Sequence, residues 1–430
     1  MMSKTYGFET LSIHAGAGPD PATGARALPI YQSTAYAFDD ADHAAALFNL
    51  QTVGFIYSRL TNPTNAALET RLATLEGGRG CTVTASGHSA QVLALFPLMQ
   101  PGDEVVASSR LYGGSLQQMR NTYPKFGWKA HIVDADTPDN FKRALTETTK
   151  AFFIESLANP GGVISDLEAI ARIADDAGIP LIVDNTMATP WLCKPIDYGA
   201  TLVIHSTTKF LSGTGTSMGG AVVDSGKFDW AKGGKFPSLA GPEPAYHGLN
   251  FFESFGDMAY TFHSHAVGLR DLGPTQAPMN AWLTMLGMET LGLRMERHCA
   301  NALKVAQWLE KHPSVAWVNY AGLPSNKYNA LARKYLPKGA GSIFTFGVKG
   351  GYEVGMKVVD SVDLFSHVAN IGDAKSLIIH PASTTHRQLT DEQRIAAGAG
   401  SDVIRLSIGI ETVEDIIADL EQALAKATGA

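Results

Sequence analysis

A chain of 430 residues is long enough for two or three domains with ample core, and its net charge of −7 leaves no basic footprint for nucleic acid or an anionic membrane surface. Hydrophobic residues at 45% and charged residues at 17% exclude a disordered chain. Cys81, Cys193 and Cys299 lie too far apart for a CxxC pair, so neither a disulfide framework nor a zinc site is expected; with no signal-peptide or membrane-spanning apolar run, the expected setting is cytoplasmic.

Residues 1 to about 60 are rich in turn formers (Gly16, Gly18, Pro19, Pro21, Gly24, Pro29) and poor in periodic runs. Such a segment cannot bury a core of its own, so it is expected to be an arm packed on the body or on a neighbouring subunit. Thr61-Asn62-Pro63-Thr64 then starts a helix with Leu68, Leu72 and Leu75 on one face. From Cys81 onward, short apolar runs alternate with helical stretches. Ser86 to Ala90 opens a helix around Gln91 to Met99, and strands are predicted at 105–107, 131–133, 151–154, 181–183 and 202–204. The clearest intervening helix covers Asp166 to Ala177. This alternation predicts an α/β fold with a mostly parallel sheet covered on both faces. The texture changes around Pro274 to Pro278. A long helical stretch from Asn280 to about His312 leads to strands at 315–318, 343–348, 376–379 and 403–408, and a final amphipathic helix covers Val413 to about Ala427. That second set reads as a smaller α/β domain. The expected division is therefore an arm over 1–60, a large domain over 61–275 and a C-terminal domain over 276–430.

The chemistry concentrates in TLVIHSTTKFLSGTGTSMGG, residues 201–220. A buried strand there is followed by Ser206, Thr208 and Lys209. A lysine placed just after a buried strand, beside hydroxyls that suit a phosphate, is a candidate Schiff-base nucleophile. Asp184 ends the preceding apolar run, and a carboxylate and an amine on neighbouring strand ends can hold the two ends of a pyridine ring; the pairing suggests pyridoxal phosphate. Ser86, Gly87 and His88 at a helix start, with Ser206 and Thr208, suit the phosphate. Tyr112 offers an aromatic face, Asn159 a polar contact, and Arg405, with Ser383 as a second contact, a partner for an amino-acid carboxylate. Each has an ordinary packing alternative when taken singly; together they fall at strand ends, where open α/β sheets bind ligands. Other features read as structural. Gly213, Gly215 and Gly219 do not form GxGxxG, the pairs His263/His265 and His380/His386 lack partners at metal-ligand spacing, and Met279, Met285, Met288 and Met295 read as core filling.

YSRLTNPT (57–64), SGHSA (86–90), DNTMATP (184–190), HSTTKF (205–210) and IRLSIGIE (404–411) resemble the signature stretches of the Cys/Met-metabolism family of fold-type I pyridoxal phosphate enzymes, over nearly the whole chain. ESFGDMAY (253–260), the run 269–295 and HPASTTHRQL (380–389) are most similar to the branch that acts on O-acetylhomoserine with sulfide. The resemblance implies that Lys209 bonds the cofactor aldehyde, Asp184 pairs the ring nitrogen and Tyr112 stacks on the ring. Ser86, Gly87, His88, Thr186, Ser206 and Thr208 join the cofactor set, with Tyr57 and Arg59 reaching the phosphate from an adjacent subunit; Asn159, Ser383, Arg405 and Tyr57 take the substrate. It further implies γ-replacement and a homo-oligomer, a tetramer built from two dimers. Cystathionine γ-synthase or O-succinylhomoserine chemistry, a methionine γ-lyase-type elimination and a non-catalytic cofactor binder are the competing readings. Two positions depart from the family pattern: His88 stands where methionine or glutamine is usual, and Thr214 replaces a histidine often found after the lysine.

Overall fold

A computed structural model describes residues 6–160, 162–385 and 398–429, together with residues 387, 390, 392 and 394. His386 and the end of the 380–389 stretch lie outside the described residues. The described chain forms two main sheets. The larger contains β1 (Gly80–Thr84), β2 (Glu104–Ser108), β3 (Lys129–Val133), β4 (Thr149–Glu155), β5 (Leu181–Asp184), β6 (Leu202–His205) and β7 (Gly220–Asp224), in the order β1-β7-β6-β5-β4-β2-β3. The pairings β3/β2/β4/β5/β6 are parallel, whereas β7 is antiparallel to both β6 and β1. Six strands thus deliver their carboxyl ends to one edge of the sheet. The central strands are apolar at consecutive positions because both faces are covered: Val105, Val106, Phe152, Phe153, Ile182, Val183, Val203 and Ile204 are all fully buried.

Local signals fix the helices that frame this edge. α1 (Phe8–His14) and α2 (Ala41–Phe48) lie within the N-terminal segment, and α3 (Pro63–Glu76) follows it. Asn62 caps α3 by accepting from Thr64 N at 2.9 Å, Pro63 occupies the first helical position, and Gly77 ends the helix at φ 75°. Arg71 of α3 is buried and donates to Ala15 O, Ile13 O and Met285 O, which ties the start of the arm to the body of its own chain. α4 (Gly87–Leu95) starts in a capping box between Ser86 and Ser89. α5 (Leu167–Asp176) turns Leu167, Ile170 and Ala174 inward.

The long helical stretch expected over 280–312 is two helices, α6 (Pro278–Glu289) and α7 (Leu291–Leu309), separated at Thr290 (φ −109°, ψ 12°). The break brings Gly287 against the backbone after Lys209, where a Cβ would lie 2.1 Å from Ser212 O. Arg294 of α7 fills the same corner, donating to Phe210 O and Gly287 O at 2.7 Å each. Met285, Met288 and Met295 are buried as expected, but Met279 is 44% exposed and fills no core. The smaller sheet contains β8 (Val315–Asn319), β9 (Ile343–Val348), β10 (Ser366–His367), β11 (Leu377–Ile379) and β12 (Val403–Ser407), in the order β8-β9-β12-β11-β10. α8 (Gly351–Ser361) packs on β9 and β12, and α9 (Val413–Thr428) packs against α8 and α7. Among the described residues no helix is long and apolar enough to cross a membrane.

Candidate active site

The carboxyl edge of the large sheet faces a cavity of about 470 Å³ that the smaller sheet helps to close. The ends of β1, β2, β4, β5 and β6 contribute to it. After β1 the chain turns through Ser86 into α4, with Ser86 Oγ accepting from Ser89 N at 3.1 Å. The N–H groups of Gly87 and His88 belong to the first turn and have no intrahelical acceptor, so they are available to an anion. Gly87 is required by close approach, because a Cβ there would lie 2.8 Å from Ser206 Cβ. After β2, Tyr112 is 48% exposed at the cavity, with its ring 5.9 Å from that of His88 at an interplanar angle of 33°. Thr208 Oγ1, after β6, contacts Gly219 O and N at 3.2 and 3.1 Å, and Ser206 N donates to Thr186 Oγ1 at 2.8 Å.

Two carboxylates stand side by side, since Glu155 ends β4 and Asp184 ends β5 in register. Glu155 Oε1 accepts from Tyr112 N at 2.5 Å and its Oε2 accepts from Asn159 N at 3.0 Å. Asp184 Oδ1 accepts from Thr186 N at 3.0 Å and Oδ2 from Gln91 Nε2 at 3.5 Å. Burial and the Asp184 charge push Glu155 well above the usual carboxylate range. Burial also raises Asp184, but the hydrogen bonds from Thr186, the nearby His205 ring and Gln91 oppose it. Asp184 is therefore the readier of the two to carry charge, and it faces the cavity.

Opposite it, Lys209 Nζ donates to Asn370 Oδ1 at 2.5 Å, and burial together with the Arg405 charge lowers its pKa towards the neutral amine. Arg405 projects from β12; Nη1 donates to Asn159 Oδ1 at 3.3 Å and Nη2 to Asn370 O at 3.0 Å. Burial brings its guanidinium down to about 10, still charged near neutral pH. Burial likewise lowers His88, which favours its neutral imidazole.

The cavity thus gathers Ser86, Gly87, His88, Tyr112, Asn159, Asp184, Thr186, Ser206, Thr208, Lys209 and Arg405. Tyr57, Arg59 and Ser383 are not among the residues that line it. Tyr57 is 42% exposed, with the Arg59 guanidinium 5.5 Å from its ring, and Arg59 Nη1 donates to Arg270 O. The Ser383 hydroxyl lies 2.9 Å from His380 Nδ1, a contact that sequence order alone does not reveal. Gln91, Glu155 and Asn370 line the cavity although nothing in the sequence reading singled them out. Gln91 stands one helical turn after Gly87, and Glu155 ends its strand as Asp184 does; those two signals were available. Asn370 arrives from the loop between β10 and β11 and had none.

The residues present fit pyridoxal phosphate. A carboxylate that hydrogen bonds help to keep ionised faces the cavity with a half-buried amine, and a helix start stripped of its Cβ lies against Ser206. Residues 9–425 match the family model described as Cys/Met metabolism PLP-dependent enzyme. The chain belongs to that family. This pyridoxal phosphate-dependent enzyme is 50% identical, over 98% of both chains, to an O-acetyl-L-homoserine sulfhydrylase from Leptospira meyeri. A homocysteine synthase from Schizosaccharomyces pombe is 49% identical over 97% of this chain and 98% of the relative. A crystal structure named as an O-acetylhomoserine (thiol)-lyase from Campylobacter jejuni, with a pyridoxyl-lysine phosphate in its chain, superposes with a TM-score of 0.95 at 43% identity. That match covers 97% of this chain and all of the other, so the Cys/Met-metabolism enzyme has the fold-type I α/β architecture its motifs imply.

Proposed function

We propose that the enzyme catalyses γ-replacement on O-acetyl-L-homoserine, with sulfide or a small thiol as the incoming nucleophile, to give L-homocysteine or methionine and acetate. The observation that carries this reading is the make-up of the cavity. A half-buried amine, Lys209, stands beside a carboxylate clamp made by Arg405 and Asn159, and the cations lining the cavity among the described residues are Lys209 and Arg405. The relatives named for O-acetylhomoserine support the substrate.

The first-turn N–H groups of Gly87 and His88, with Ser206 and Thr208, would hold the cofactor phosphate, Tyr112 would cover the ring and Asp184 would pair with its nitrogen. When bound, pyridoxal phosphate supplies an electron sink for charge that develops on the substrate α-carbon. Arg405 and Asn159 orient the substrate through its carboxylate, and Asn370 holds the free Lys209 amine beside them. Burial and the Arg405 charge favour the neutral amine of Lys209, and its Nζ serves first as nucleophile and then as the base that takes the α-proton. Asp184 holds a proton on the ring nitrogen while that transfer proceeds. Tyr57 and Arg59, outside their own cavity, are assigned to the phosphate of an adjacent subunit in a dimer or a tetramer of two dimers. The setting proposed is the cytoplasm.

The ester follows from the charges. A succinyl ester adds a carboxylate that needs a further cation, whereas the acetyl group is neutral. Measured as kcat/KM at saturating sulfide, O-acetylhomoserine is expected to exceed O-succinylhomoserine by tenfold or more, about the 1.4 kcal/mol of one poorly matched charge contact. Equal values, or product formed as readily without sulfide, overturn this choice in favour of the succinyl or eliminating readings.

A further inference from the structure

Four buried polar side chains that do not line the cavity form a chain of contacts next to Asp184. Glu76, the last residue of α3, has its Oε1 2.6 Å from His205 Nε2, and neither side chain is exposed at all. A carboxylate at this position is otherwise unfavourable, because helix carbonyls already concentrate negative charge at that end. Asn185 Nδ2 donates to the same Oε1 at 2.8 Å and to Cys193 O at 2.9 Å. Ser156 Oγ donates to Asn185 Oδ1 at 2.7 Å, and Ser156 N donates to Asp184 O at 3.1 Å. The 2.6 Å contact between Glu76 Oε1 and His205 Nε2 fixes the ring's orientation.

We infer that Glu76 is a positioning residue for the reaction, acting on Asp184 from two sides. On one side it orients the His205 ring, carried on β6 immediately after Ile204, which pairs in register with Asp184. On the other it locks Asn185, the residue that follows Asp184, whose own N–H donates to Ile204 O at 2.9 Å. Glu76 thereby sets both the backbone from which Asp184 projects and the field at its carboxylate. The His205 ring is among the groups that oppose the upward push of burial on Asp184, which agrees with this geometry. The inference rests on the reading of Asp184 as the partner of the cofactor ring nitrogen.

The test uses the holoenzyme loaded with cofactor carrying 15N at the ring position. In Glu76→Gln the resting 15N resonance is expected to move from the pyridinium value towards neutral pyridine. kcat for the proposed ester should fall by about tenfold, the equivalent of one unit of proton affinity, with KM within about twofold. Glu76→Asp should recover part of both, which a purely structural role of the side-chain volume would not give. If Glu76→Gln does not fold, His205→Gln, which keeps a donor near the Nε2 position, is expected to move the resonance in the same direction. A folded Glu76→Gln or His205→Gln enzyme with the wild-type resonance and kcat overturns the inference, as does a neutral-pyridine resonance in the wild type. The resonance needs no substrate. A wild-type pyridinium signal without turnover of the ester would sink the substrate reading alone.

Discussion

Lys209 and Asp184 have opposite problems, and burial solves one by creating the other. Withdrawing Lys209 from water favours its neutral amine, which the chemistry needs, and the Arg405 charge pushes the same way. Withdrawing Asp184 from water favours its neutral acid, which the chemistry does not need, and hydrogen bonds from Thr186 and Gln91 work against that. Lys209→Ala removes one hydrogen bond to Asn370, a net effect on stability of about 1 kcal/mol, so the variant should fold. It should lose about a thousandfold or more in turnover, as expected for a missing base that is also the nucleophile, and its mass after borohydride reduction should show no attached cofactor. A reduced adduct still present on the variant would remove Lys209 from its assigned role. Asp184→Asn should still bind cofactor, because the amide oxygen can accept from Thr186 N as Oδ1 does, yet turn over about a hundredfold more slowly, the equivalent of about two units of proton affinity at the ring nitrogen. Comparing the cofactor dissociation constant with kcat separates the two effects; near wild-type kcat would count against Asp184.

At the scale of elements, the β1–α4 turn and the loop after β6 work as one unit because Gly87 lets them touch. With Gly87→Ala the new Cβ lies 2.8 Å from Ser206 Cβ, so the helix start or the Ser206 loop must shift. Overpacking of this kind costs about 1–3 kcal/mol, so titration of the apoenzyme should give a cofactor affinity lower by about ten- to hundredfold. An unchanged affinity would mean that these two segments do not jointly grip the phosphate. The same elements explain what the sequence could reveal. The strands after Cys81, the α4 start, Asp184 and Lys209 were legible because each is written within a few residues, as an apolar run ending in a polar group. Asn370 and the true place of Ser383 were not, since one depends on how the β10–β11 loop folds over the Lys209 amine and the other on a local bond to His380. The break at Thr290 was hidden for a related reason: the period of apolar residues continues through it. What separates α6 from α7 is a tertiary demand, the close approach of Gly287 to Ser212 O and the Arg294 side chain that fixes it.

Across the whole molecule, the site is assembled from both sheets, with Lys209 and Asp184 from the large one and Arg405 from the small one. The cofactor and substrate ends of the reaction are thus carried by separate layers that meet at Asn370 and Asn159. The arm is the remaining part. Its beginning is tied to its own chain through Arg71, yet Phe48, Val53, Phe55 and Tyr57 are left exposed, at 58%, 84%, 38% and 42%, on the segment that leads to Arg59. Apolar residues left exposed in sequence, next to a cation that does not enter its own cavity, fit an arm that completes a neighbour's site. In that arrangement Arg59→Ala should be inactive at limiting cofactor because its phosphate grip is lost, and Lys209→Ala should be inactive for its own reason. When the two variants are mixed in equal amounts, dissociated and reassembled, about half of the dimers should be hybrids, by simple two-fold statistics. In each hybrid one site lacks both groups, while the other combines Lys209 from the Arg59→Ala chain with Arg59 from the Lys209→Ala chain. That intact site should restore about a quarter of the wild-type activity per total protein, since one site in two works in half of the dimers. Activity measured before and after exchange, with hybrid formation followed by a tag on one variant, decides it. Full exchange with no recovered activity would mean that Arg59 serves its own chain or none, and the shared site would have to be given up.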